Sequence, residues 1–334
     1  MSSLRARLHG TALVVVLLLA SCGAGSASSS SSEPGSGDEI GVEVPVDAPT
    51  ETRLPVTVTS ADGRSVTVTD TSRILPLTGS LAEVIFALGH GDQVVGRDVS
   101  ATFDEVSDLP LVTRAHDVSA ESVLSLRPTL VLADEESGPP EALDHLRNVG
   151  VPVVVIDRAT AIEDIGPRIE AVAEALGSPE AGADLASRTV ADIEAIGEDA
   201  GRGGDRPSVA FLYLRGQAGV YLMGGPGAGT DAMIEAAGGT DAGTELGLDR
   251  AFTPLTSEAL VEAAPDVLLL TTTGLESVGG VDGLLEISGI AQTPAGANRR
   301  VATVEDGLLF GFGTRTPETL RILAGQLHDP DPGS

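Results

Sequence analysis

Lysine is absent from this 334-residue chain, so all 20 of its Lys and Arg positions are arginine. Chemistry that needs a lysine amine, such as a Schiff base or a phosphate-binding P-loop, is thereby excluded. Cations are also outnumbered, 20 against 49 Asp and Glu, for a formal net charge of −29. Nucleic acid is excluded as a partner on the same ground, because binding it draws on clustered cations to neutralise phosphates. Cys22 is the single cysteine, so no intrachain disulfide, zinc–thiolate site or iron–sulfur cluster can be built from this chain. Tryptophan is missing and aromatic residues make up 2%, which disfavours aromatic cages around a ligand. The apolar run from Ala12 to Ala20 is too short to span a bilayer.

What is present reads in order as signal, tether and folded part. Arg5 and Arg7 precede that apolar run, which ends in Leu19-Ala20-Ser21-Cys22, so residues 1–21 read as an export signal. Residues 22–53 are small, serine-rich and acidic, with serines 28 to 32 in a row. Such a composition cannot repay the entropy of folding and reads as a flexible tether. From Pro55 to Thr69, β-branched and polar residues alternate around Asp62-Gly63, the pattern of a hairpin. Strand-like apolar runs then alternate with helical patterns. Strands are expected at Arg73–Pro76, Val94–Gly96, Thr129–Ala133, Pro152–Asp157, Ser208–Leu214, Val267–Thr271 and Val301–Val304, with a closing helix near Pro317–Leu327. The alternation implies an α/β fold with parallel sheets covered by helices on both faces. Two Rossmann-like lobes are expected, at 54–178 and 204–328, joined by a single long helix over 179–203 that carries apolar residues at helical spacing and no internal proline. An internal echo supports two similar lobes. Ala120-Glu-Ser-Val-Leu-Ser-Leu-Arg-Pro-Thr-Leu-Val-Leu132 aligns with Ser257-Glu-Ala-Leu-Val-Glu-Ala-Ala-Pro-Asp-Val-Leu-Leu269 at an offset of 137, each a short helix, a proline stop and a buried strand.

Several segments carry a resemblance beyond architecture. Gly79-Ser-Leu-Ala-Glu-Val-Ile-Phe-Ala-Leu-Gly89, Leu126-Arg-Pro-Thr-Leu-Val-Leu132, Gly138-Pro-Pro-Glu-Ala-Leu-Asp-His-Leu-Arg147, Gly280-Val-Asp-Gly-Leu-Leu285 and Gly311-Phe-Gly-Thr-Arg-Thr-Pro317 resemble the class III, helix-linked substrate-binding proteins of ABC importers for haem, siderophores and vitamin B12. They look most like haem-binding lipoproteins of the HmuT type. The resemblance implies capture of haem, ferric protoporphyrin IX, between the lobes and its delivery to an ABC permease and its ATPase. It also implies that Cys22 is lipidated and becomes the mature N-terminus, which anchors the protein on the outer face of the cell membrane. Cleavage there removes two arginines and no acid, for a net charge of −31. An anchor is needed, because so acidic a chain is repelled by anionic lipid. A ferric siderophore or vitamin B12 is the alternative ligand, and surface haem receptors are further candidate partners.

A haem iron takes His, Tyr, Met or Cys thiolate as axial ligands. His9 leaves with the signal, His328 sits in the tail, and His90 and His145 read as solvated surface residues. His116 stands in the polar loop Thr113-Arg-Ala-His-Asp117 before a helix, where cleft residues are often carried. A loop histidine taken alone is more often a helix cap or surface residue; the resemblance implies that His116 ligates iron. Tyr213 closes the first strand of the second lobe, and strand alternation places Arg215 on the same face. The ordinary reading is a half-buried strand tyrosine beside a chance arginine. The resemblance implies instead that Tyr213 ligates ferric iron as phenolate, favoured by the Arg215 cation. Tyr221 either lines the pocket or packs a strand. Arg114 either meets a haem propionate or is a solvated loop cation. Gly224-Gly-Pro-Gly-Ala-Gly229 lacks the lysine of a phosphate loop and reads as a turn into a helix near Thr230.

Glu83 and Glu235 lie on the first helix of each lobe. The resemblance implies one docking glutamate per lobe for the permease, against the plain reading of two helix-surface carboxylates. An enzyme on the same frame, a chelatase with Asp117 beside a catalytic histidine, is the competing reading. No nucleophile elbow and no HExxH motif supports a hydrolase, so binding without catalysis is expected.

Overall fold

The computed structural model describes residues 52–114, 117–201, 204 and 206–328. Strands β1 (Val56–Thr59) and β2 (Ser65–Val68) form the expected hairpin, with Val56 opposite Val68 and Gly63 left-handed at φ +78° in the turn. The hairpin is followed by β3 (Ile74–Pro76), α1 (Gly79–Ala87), β4 (Arg97–Asp98), β5 (Leu111–Arg114), β6 (Asp117–Val118), α2 (Ala120–Ser125), β7 (Leu130–Asp134), α3 (Pro140–Asn148), β8 (Val153–Ile156) and α4 (Ile165–Ala175). β3, β7 and β8 make a parallel sheet, and β4, β5 and β6 make a separate small one. The strand expected at Val94–Gly96 is reduced to one bridge between Val94 and Ile74. Gly96 presses on Leu126, 2.6 Å from where a Cβ would stand, and pairing resumes only at Arg97 in the other sheet.

Helix α5 (Pro179–Gly201) is the long connector. Proline at its first position forfeits no hydrogen bond, and Leu185, Ala186, Thr189 and Ile193 bury one stripe. Gly182 lets α5 cross α4 closely, since a Cβ there would overlap that of Ala173. Beyond it come β9 (Ser208–Arg215), β10 (Val220–Gly224), α6 (Thr230–Ala236), β11 (Thr240–Asp241), β12 (Phe252–Pro254), β13 (Val267–Thr271), β14 (Val301–Val304) and a closing helix, Thr316–His328. Sheet order is β12-β10-β9-β13-β14, with β11 beside β9. This sheet is mixed, which corrects the all-parallel expectation: β10 runs antiparallel to both β9 and β12. The β9–β10 connection, Gly216–Gly219, is far too short for a parallel crossover. Left-handed Gly219, at φ +66°, turns it into a hairpin.

The largest core cluster runs through both halves of the molecule. It joins Leu81 and Ile85 of α1, Ile169 of α4, Leu185 and Ile193 of α5, Phe211 of β9 and Leu320 of the closing helix. The connecting helix is thus core and not a free strut. The internal echo extends to backbone detail. Ser119 and Thr256 cap the two helices by accepting from Ser122 N and Ala259 N, and Arg127 (φ +48°) and Ala264 (φ +42°), again 137 apart, both take the left-handed conformation. Such a residue costs about 1 kcal/mol or more in that region, so its repetition marks the same turn built twice.

Candidate functional site

In open α/β sheets, ligands sit beyond the carboxyl ends of the strands. β9, β13 and β14 run parallel and end together at Tyr213-Leu214-Arg215, Thr271 and Val304-Glu305-Asp306. Half-buried Tyr213 meets Phe252 edge-on, with ring centroids 5.9 Å apart, and the Arg215 guanidinium lies 4.5 Å from the Tyr213 ring centre. This is a cation–π contact. Sequence alternation therefore placed the pair correctly, and the arginine acts on the ring face. Arg215 Nη2 donates to Asp306 Oδ1 at 2.7 Å, Nη1 donates to Leu214 O at 3.0 Å, and Thr273 Oγ1 donates to the other Asp306 oxygen at 2.6 Å.

The opposite wall belongs to the first half. Asp98 gathers Thr113 Oγ1 at 2.8 Å and Ser100 N at 2.8 Å, and the Ser100 hydroxyl accepts from Gly79 N, at the start of α1, at 2.9 Å. Two contacts bridge the halves, at the end of β14 and at α1. Thr102 Oγ1 donates to Glu305 Oε2 at 2.9 Å, and Arg315 Nη2 donates to Glu83 Oε1 at 2.6 Å. Gly307 makes room for the first, packing against Ser100 O and Thr102 Oγ1, and Gly311 and Gly313 pack their backbone against the Glu83 carboxylate. Arg168 lies nearby, almost fully buried, donating to Asp157 O and Ser80 Oγ, each at 2.8 Å.

The other expected residues fall as follows. Arg114 is exposed at the end of β5, opposite Asp117 of β6; His116, between these strands, lies outside the described residues, as does Cys22. Tyr221 does not stand beside Tyr213, which corrects the pocket-lining alternative: it pairs with Leu214 and packs against the core that contains Leu212, Leu214 and Met223, on the face of the sheet away from Tyr213. It borders instead an open depression of about 560 Å³ with Gly216, Glu276 and Glu286. Glu83 is corrected as well. It is 1% exposed and bound to Arg315, so it offers no carboxylate to a partner; burial pushes its carboxyl up, with Arg315 pulling the other way. Glu235 is exposed on α6. His90 is not a surface residue, since it is 5% exposed and burial pushes its imidazole down. Asp306, Thr273, Glu305 and Arg315 were not singled out in the sequence. The first and third follow directly on the apolar run Val301–Val304, and position at a strand's carboxyl end was the signal available for them.

A family model described as periplasmic binding protein matches residues 74–307. The haem-binding protein RhuT from Roseiflexus sp. RS-1 is 44% identical with a TM-score of 0.75, over 78% of this chain and 99% of that one. The haem-binding protein HmuT is 40% identical with a TM-score of 0.80, over 87% and 95%. Solved HmuT variants replace one histidine, one tyrosine and one arginine with alanine, the last two spaced two positions apart as Tyr213 and Arg215 are. Among curated sequences, the ABC transporter substrate-binding lipoprotein YvrC of Bacillus subtilis is 28% identical over 83% of this chain and 86% of its own length. A cobalamin-binding protein of Halobacterium salinarum is 24% identical over 82% and 74%. No helix among the described residues is long and apolar enough to cross a membrane. With its sheets set on either side of one long helix and its strand ends gathered where the halves meet, the chain belongs to the periplasmic binding protein family, in the helix-linked class III form.

Proposed function

We propose that this chain is the extracytoplasmic binding component of an ABC importer and that its ligand is ferric haem. The observation that carries the reading is Tyr213 at the carboxyl end of β9 with Arg215 stacked on its ring, in a chain similar to haem-binding proteins along most of its length. A phenolate is a hard anionic ligand suited to Fe(III), and the neighbouring guanidinium favours that anion. Tyr213 from one lobe and His116 from the other take the two axial positions, with Arg114 available to a propionate. Because both bonds form only when the lobes approach, iron coordination and closure are coupled. Members of the family are binding proteins, so the chain captures and hands over its ligand without transforming it, to a permease and ATPase and from a surface receptor where one exists. Lipidation at Cys22 tethers it to the membrane, and Glu235 serves as a docking carboxylate for the permease.

The likeness to cobalamin-binding proteins keeps a second ligand in view. Titration of the purified protein with hemin and, separately, with cobalamin tests both readings. Charge-transfer bands that appear with hemin and vanish in Tyr213→Phe are expected. Saturable binding of cobalamin, with no hemin complex, overturns the haem reading.

A further inference from the structure

We propose that Asp306 is a positioning residue for the haem-ligating tyrosine, holding the Arg215 guanidinium on the Tyr213 ring; this rests on the haem reading above. Arginine has a long side chain with many rotamers, and the cation–π attraction of a partly exposed pair is too weak by itself to hold the guanidinium in one of them. Asp306 supplies the further hold. Its Oδ1 accepts from Arg215 Nη2 at 2.7 Å, while Thr273 Oγ1 fixes its second oxygen at 2.6 Å. Arg215 Nη1 is then carried to Leu214 O at 3.0 Å, and its central carbon stands 4.5 Å from the ring centre. A cation on the ring face can act on the phenolate and leave the ring plane clear for the approach of iron.

The residue before Asp306 makes a contact between the lobes. Asp306 opens the short helix Asp306–Leu309, whose cap is Glu305: one Glu305 oxygen accepts from Gly307 N at 3.1 Å and the other from Thr102 Oγ1, across the cleft, at 2.9 Å. Two successive residues at the end of β14 therefore join the opposite lobe to the ligand tyrosine. The Arg215–Asp306 pair is only partly buried, with side chains 32% and 28% exposed. Its Coulomb energy is modest for that reason, and its effect is directional.

The test uses the full chain loaded with hemin, in variants Asp306→Ala, Asp306→Asn, Arg215→Ala and Arg215→Ala/Asp306→Ala, with Tyr213→Phe as reference. Two quantities are read: the phenolate-to-iron charge-transfer band, and the rate of hemin loss to an excess of a haem-scavenging protein. Asp306→Ala is expected to shift the band and to speed hemin loss roughly tenfold, the scale of losing a hydrogen bond to a charged group. Asp306→Asn, which keeps an acceptor oxygen for Arg215 and the shape of the side chain, is expected to fall between Asp306→Ala and the unmodified protein. Once Arg215 is gone, removing Asp306 is expected to add less than about twofold. An unchanged band and rate in both Asp306 variants overturns the proposal. An equal effect of Asp306→Ala with and without Arg215 also overturns it, by showing that the carboxylate acts on the fold and not through the arginine. Should Tyr213→Phe keep the unmodified band, the ligand assignment itself falls, and that outcome is distinct from a failure confined to Asp306.

Discussion

Replacing Arg315 with methionine removes the guanidinium that meets Glu83 at 2.6 Å, where the two side chains are only 3% and 2% exposed. The carboxylate left behind has little access to water, since the backbone at Gly311 and Gly313 packs directly on it and a Cβ at Gly313 would overlap Glu83 Oε2. Breaking a buried pair by removing one partner costs about 3–5 kcal/mol, because the surviving charge is uncompensated. Loss of the guanidinium from the face of Phe103, 5.2 Å away, adds a smaller amount. For a chain of this size that is a fall in Tm on the order of 10 °C. The pH dependence has a definite sign. Burial already lifts the Glu83 carboxyl above the unfolded-state value, and without the Arg315 guanidinium less opposes the lift. The stability this group contributes is then present below its unfolded-state value of 4.5 and lost as pH rises through the folded value. The deficit of Arg315→Met is therefore expected to be larger at pH 8 than at pH 5. Urea denaturation followed by far-UV circular dichroism at both pH values measures it. The double variant Glu83→Gln/Arg315→Met, which leaves no buried charge, is expected to recover much of the loss. Single-variant losses below about 1 kcal/mol, or a double-variant loss equal to the sum of the two singles, would refute a coupled interlobe pair.

His90 is held below its ordinary value of 6.5 by burial, so it adds stability above that pH and loses it as pH falls. His90→Gln should flatten the decline in unfolding free energy between pH 7 and pH 5, with a limiting slope difference of about 1.4 kcal/mol per pH unit; curves that stay parallel count against it. Reversing the charge at exposed Glu235 with arginine should impair haem uptake by cells and leave hemin titration unchanged, whereas normal uptake removes its docking role. Cys22→Ser should move the protein from the membrane fraction to the soluble one, and retention at the membrane refutes anchoring at that thiol.

Much of the fold was legible because the central strands are continuous apolar runs with sharp ends. Val267–Thr271 and Val301–Val304 fall where they were expected, the first set off by Pro265 and the second followed by two acids. β10 was hidden for the opposite reason. Its residues are mostly half-buried, and it is reached through a glycine-ended turn with no Asn-Gly or Asp-Gly signal. Its antiparallel register also decides the fate of Tyr221, which stands opposite Leu214 and so turns away from Tyr213. Glu83 carried a readable warning. Every residue from Leu81 to Ala87 is buried, and a helix apolar on nearly all sides has no solvent face on which to display an acid. Its partner lies 232 residues away and could be found only in three dimensions.

Tyr213 and Arg215 were legible because strand alternation is local, whereas the groups that aim them come from separate turns of the chain. The same division holds for the two most buried arginines. Arg168 donates to Asp157 O and Ser80 Oγ with Asp134 3.9 Å away, and Arg315 donates to Glu83. Arg168 sits near the carboxyl end of β8 with Asp134 close by, and Arg315 sits at the interlobe seam paired with Glu83. In a chain so rich in Asp and Glu, a cation at the seam is neutralised by the fold before any ligand arrives. A ligand carrying carboxylates must therefore compete with those acids for the guanidinium groups. Arg215 is paired with Asp306, whose side chain is 28% exposed, and that pair stands one residue from the Thr102–Glu305 contact between the lobes.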